Sequence, residues 1–160
     1  MSIEERIERV RAKGERCPAC GAKKVTPRSL EQHRRFFAIV RALYHHWPET
    51  HERQFASEEE CRKWIQMRAG HFEVGASIPL TGMPKERAVL LAEAAIRAAG
   101  SYAEVILNGN VLVVLTPKSI AFDKLGHKEF CVLNEAVAEV ILAETGLNVE
   151  TLLNEHEGAA

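Results

Sequence analysis

Two apolar runs, Tyr102–Leu107 and Val111–Thr116, meet at Asn108-Gly109-Asn110. An Asn-Gly step between such runs is the strongest local signal for a β-hairpin, because glycine takes the positive φ that a tight turn matching the strand twist requires. A hairpin exposes an apolar face and cannot stand alone in water, so the rest of the chain must supply a cover. The remaining patterns are mostly helical. We therefore expect an α+β fold: a small antiparallel sheet with a 108–110 hairpin, covered by several amphipathic helices. The helices at 84–99 and 128–144, which flank the hairpin in sequence, are the expected cover.

Capping residues and breakers place the other elements. Ser2 with Glu5 forms a capping box for a helix over 2–13, with Ile3, Ile7 and Val10 as its stripe. Residues 14–28, carrying Gly14, Pro18, Gly21 and Pro27, read as a loop. Ser29 with Gln32 opens a helix over about 30–47, stopped by Pro48. Ser57 with Glu60 opens another, ended by Gly70. A strand follows within His71–Leu80, limited by Gly75 and Pro79. Pro84 stands at a first helical position, and Gly100 and Gly146 follow the last two long helices. The expected organisation is an N-terminal helix and Cys-x-x-Cys appendage over 1–27 and a single α+β domain over 28–157.

Composition narrows the function classes. No run of about 18 apolar residues is present, so no membrane span is expected. The charged, amphipathic N-terminus does not read as a secretory signal. Four cysteines, two of them isolated in helical patterns, suggest a reducing cytoplasm. The net charge of −1 hides an asymmetry: Arg11 to Arg41 holds nine Lys/Arg against two Glu, so the remainder is acidic. A basic block of this kind is either a footprint for an anionic partner or a solvated face offset by acidic neighbours.

The helix at 30–47 concentrates that charge. At about 100° per residue, Phe36, Phe37, Val40, Leu43, Tyr44 and Trp47 share one face, which should pack. Arg34, Arg41 and His45 share the opposite face, with Arg35 and His46 on its shoulder. Such a face can hold phosphates. Arg28, Arg34, Arg35 and Arg41, with Lys23 and Lys24, are the candidate nucleic-acid-binding residues. His33 projects toward Phe37 and Val40 and reads as a structural polar group that needs a hydrogen-bond partner.

Cys17-Pro-Ala-Cys20-Gly21 is half of a zinc knuckle: two thiolates at a tight turn. No second pair stands at finger spacing. His33, His45 and His51 are candidate further ligands, and two knuckles from two subunits could instead make a Cys₄ site. Zinc is the one cofactor suggested. Cys61, beside Trp64, and Cys131, beside Phe130, read as core thiols. Trp47, Phe55 and Trp64 read as packing anchors more than base-stacking platforms. His45, His46, Glu49 and His51 raise a metal-dependent nuclease as an alternative. Adjacent helical histidines diverge by about 100°, however, and no acidic motif supports them. No phosphate loop, nucleophile elbow or paired-carboxylate signature appears, so an enzyme is not the expected reading.

Arg28-Ser-Leu-Glu-Gln-His-Arg-Arg-Phe-Phe-Ala38 resembles a stretch of the lambda NinB (Orf) recombination proteins. It is more similar to an uncharacterised group of phage and prophage proteins, in which such a helix leads to an Arg-Lys-Trp-like helix and an Ala-Gly-aromatic step. Arg62-Lys63-Trp64, Ala69-Gly70-His71-Phe72 and Thr116-Pro-Lys-Ser-Ile-Ala-Phe122 match that order. The resemblance covers roughly 26–145 for the uncharacterised group and the first long helix alone for NinB. It implies a dimeric α+β accessory protein, in the cytoplasm of a bacterial host, that binds single-stranded DNA and a host single-strand-binding protein during recombination. It brings no catalytic residue. A phage factor that binds and inhibits another host protein complex is the alternative.

Overall fold

In the computed structural model, residues 2–12, 30–121 and 124–158 are described. The order is α1 (Ile3–Ala12), α2 (Leu30–His45), α3 (Glu58–Arg68), β1 (Phe72–Pro79), α4 (Lys85–Ala98), β2 (Glu104–Asn108), β3 (Val111–Pro117), α5 (His127–Thr145) and α6 (Val149–Gly158). The fold is α+β. The chain divides into two compact units: a helical one, Met1–His71 with Ser119–Ala160, and a sheet unit, Phe72–Lys118. The boundary expected at 27/28 falls outside the described residues.

Local chemistry sets the helix ends. Ser2 Oγ accepts from the Glu5 N–H at 3.2 Å, and Glu5 Oε2 accepts from the Ser2 N–H at 2.7 Å, a reciprocal capping box. Ser57 Oγ caps α3 by accepting from the Glu60 N–H at 3.2 Å. The Glu60 carboxylate reaches one residue further back than a box requires, to the Ala56 N–H at 2.9 Å. Helix α3 stops at Gly70, whose φ of 84° suits only glycine and whose Cα faces the Ile3 side chain closely. Pro84 is the N-cap of α4, one position before the expected first turn. The α2 helix ends at His45, two residues early, and His46 belongs to a turn.

The helical unit buries Phe36 and Leu43 of α2, Ile65 of α3, Phe130, Leu133 and Ile141 of α5, and Leu152 of α6. Each such side chain contributes roughly 1.5–3 kcal/mol when removed from water. Helix α2 packs on α3 and α6, and α5 packs on α1, α3 and α6. Arg6 of α1 pairs with Glu135 at 3.0 Å and Glu139 at 3.6 Å, both on α5. The α5 helix, expected as a cover for the hairpin, thus belongs to the helical unit.

The sheet unit has strand order β1-β3-β2, both pairings antiparallel. The last strand of the unit is therefore the central one. Strands β2 and β3 join through Gly109-Asn110, since Asn108 pairs with Val111. Gly109 has φ 60° and Asn110 has no positive φ, which fits a type II′ turn with glycine first. In β1, Gly75 does not end the strand; it is the extra residue of a bulge between Val74 and Ala76. Helix α4 packs on β2.

Candidate functional site

The α2 helix carries the candidate site, and the structure reassigns one of its side chains. Phe36, Ile39, Val40, Ala42 and Leu43 face inward, as expected of the apolar stripe. Phe37 does not join them. It is 37 % exposed and lies in the same sector of the helix as Arg34, Arg41 and His45. Its ring meets His33 at 4.8 Å and the edge of Phe36 at 5.7 Å. A wheel gives the direction of a side chain, but the neighbouring helices decide how wide the covered sector is. Here cover stops short of Phe37.

The arginines differ in their surroundings. Arg35 is ion-paired with Glu150 of α6. The Arg41 Nε lies 3.5 Å from Glu58 of α3, and the His45 Nε2 lies 3.7 Å from the same carboxylate. Both pairs are solvent-exposed, where such contacts hold little free energy and yield readily to a competing anion. Arg34 is exposed and, among the described residues, meets no carboxylate. Lys23, Lys24 and Arg28 lie outside the described residues.

The histidines proposed as zinc ligands go to separate places. His33 sits tilted against the Phe37 ring. His51 Nδ1 accepts from the Arg53 N–H at 3.0 Å, leaving Nε2 to donate to Glu144 at 3.1 Å. That hydrogen bond, together with Arg68 at 3.1 Å, lowers the Glu144 carboxyl below its ordinary 4.5. His45 lies flat against His156 with centroids 5.5 Å apart, and His46 meets the same ring edge-on at 5.6 Å. The helix ends at His45, so the two neighbours converge on one ring despite the 100° that a continuing helix would impose. Among the described residues, no group of three or more His, Cys, Asp or Glu is arranged to hold a metal. Cys17 and Cys20 lie outside the described residues.

The other cysteines and aromatics are explained by packing. Cys61 is fully buried, and burial with Glu58 and Glu60 nearby pushes its thiol up to about 12, so it is inert. Cys131 is half-buried and accepts from Gln32 Nε2 at 3.8 Å, while Gln32 Oε1 meets His127 Nδ1 at 2.8 Å. Trp47, Phe55 and Trp64 form one cluster with centroids 4.9–5.3 Å apart. Trp47 is pinned by its indole N–H, which donates to the Arg53 carbonyl at 2.7 Å.

Sequence reading missed the Gln32–His127–Cys131 set and the His51–Glu144–Arg68 set. Both join residues far apart in the chain, and no local spacing announces them. No helix is long and apolar enough to cross a membrane among the described residues. No known protein family, curated protein or solved structure matches the chain.

Proposed function

We propose that this chain is a non-enzymatic accessory protein of phage-type recombination, binding single-stranded DNA through the exposed face of α2. The observation that carries this reading is the placement of Phe37, exposed in one sector with Arg34 and Arg41. Single-strand binders combine cations that track phosphates with aromatic rings on which bases stack, and this sector offers both. The exposed pairing of Arg41 with Glu58 leaves that guanidinium exchangeable for a phosphate oxygen.

A titration with a labelled single strand at two salt concentrations tests it. Arg34→Ala with Arg41→Ala should weaken binding and reduce the salt slope by about 0.7 per arginine. Phe37→Ala should cost about 1–3 kcal/mol per stacked base with the slope unchanged. Absence of binding at low salt would sink the reading. Zinc at Cys17 and Cys20 remains part of the proposal, as a structural staple, and metal analysis of the same sample reads it directly.

The sheet unit favours a second reading, in which the chain is a factor that binds a host protein such as the single-strand-binding protein or a defence complex. Val74, Ile78, Leu90, Leu91, Ile106 and Leu107 are all exposed large apolar side chains. Co-purification of a host protein with no DNA present would support it.

A further inference from the structure

We infer that the outer edge of β2 pairs with β2 of a second copy of this chain, joining two sheets into one across a two-fold axis. The inference stands apart from the nucleic-acid reading and uses none of its residues.

The two edges of the sheet are built differently. An open edge presents unpaired backbone N–H and C=O groups, and proteins that keep an edge unpaired blunt it. The β1 edge is blunted twice, by the bulge at Gly75 and by Pro79, which has no N–H to offer. The β2 edge, Glu104-Val-Ile-Leu-Asn108, has no proline, glycine, lysine or bulge. Among the described residues the sheet ends there. Ile106 and Leu107, on opposite faces of this strand, are 46 % and 41 % exposed.

The sequence of β2 selects its own copy as the partner. A two-residue loop closes on a hydrogen-bonded pair, so the backbone groups of Asn108, Ile106 and Glu104 point at β3. Those of Val105 and Leu107 point outward. In the antiparallel register that uses the whole strand, Ile106 faces Ile106, and Val105 bonds with Leu107 in both directions, giving about four backbone hydrogen bonds. The one charge, Glu104, then falls opposite Asn108 and never opposite itself, so the strand is complementary to its own reverse.

Charge across the unit agrees. Glu73, Glu86, Glu93 and Glu104 balance Lys85, Arg87, Arg97 and Lys118, so the unit neither repels its copy nor recruits a charged partner. Helix α4, which packs on β2, carries Leu91, Ala95 and Ala98 on one exposed flank, and the small side chains let a second helix come alongside.

Sedimentation of the full chain at about 100 µM, where a micromolar interface is filled, should give the mass of a dimer. Ile106→Lys, which sets two ammonium groups against each other on an exposed position, should halve that mass and leave the circular dichroism unchanged. Val74→Lys, on the blunted strand, should leave the dimer intact. Ile106→Cys should give a disulfide-linked dimer on oxidation, and Val74→Cys in the same background should not. A monomeric wild type overturns the inference. So does a dimer that Ile106→Lys leaves intact, or one that Val74→Lys breaks equally.

Discussion

Glu144 shows how one carboxylate holds a loop to a helix. It accepts from the ring of His51, which follows α2, and from Arg68 at the end of α3, while sitting on α5. Its folded-state pKa is depressed, first by the His51 hydrogen bond and then by Arg68. The stabilisation is therefore fully present above the unfolded value and is lost as pH falls through the lower folded one. Glu144→Gln should cost about 1–2 kcal/mol at neutral pH. The difference between variant and wild type should vanish in acid, below the depressed folded-state value, where both side chains are neutral. Urea unfolding at the two pH values measures it. An equal cost at both would assign the effect to shape and not to charge. The partners are 93 and 76 residues from Glu144, so nothing in the sequence around it identifies the role.

At the level of single elements, what could be read ahead was what neighbours in sequence decide. The Ser2–Glu5 box, the Ser57 cap, the stops at Gly70 and Gly146 and the 108–110 hairpin all depend on residues within a turn of one another. The structure differs from the sequence expectations where a second element intervenes. Phe37 lies on the expected apolar face by angle, yet the helices packed on α2 leave it uncovered. Gly75 looks like a strand end, but β3 continues past it and absorbs it as a bulge. Pro79, by contrast, does limit the strand as expected: β1 ends there, paired with Val111. Gly70 combines both kinds of constraint. Its φ of 84° is local, and the Ile3 Cγ2 atom, 2.7 Å from where a Cβ would stand, comes from α1. Gly70→Ala should destabilise the helical unit by about 1–3 kcal/mol. Hydrogen exchange should show the loss in α1 as well as at the end of α3. Protection lost from α3 alone would mean that Ile3 moves aside freely.

Across the molecule, the charge asymmetry reads differently once the helices are placed. Part of the basic excess on α2 is met by acidic residues that are remote in sequence: Glu150 opposite Arg35 and Glu58 beside Arg41. Counting charges along the chain could not show this offset, because it depends on which helices become neighbours. Among the described residues, Arg34 meets no carboxylate, and the pairs that hold Arg35 and Arg41 are both solvent-exposed. The division into two units was equally hidden, since neither composition nor a linker marks residues 71/72 or 118/119. The boundary is a property of contacts and not of punctuation.

The sheet unit enters and leaves the chain through neighbouring strands, with Phe72 in register opposite Pro117. On the helical side, the ring of His71 meets the carbonyl of Ser119 at 3.5 Å. The segment 72–118 therefore begins and ends at neighbouring points on either side of each boundary. Replacing residues 72–118 with a short glycine-serine bridge should leave a helical protein that still unfolds cooperatively on heating. The single-strand titration and the sedimentation experiment, repeated on that remnant, read the two proposals separately.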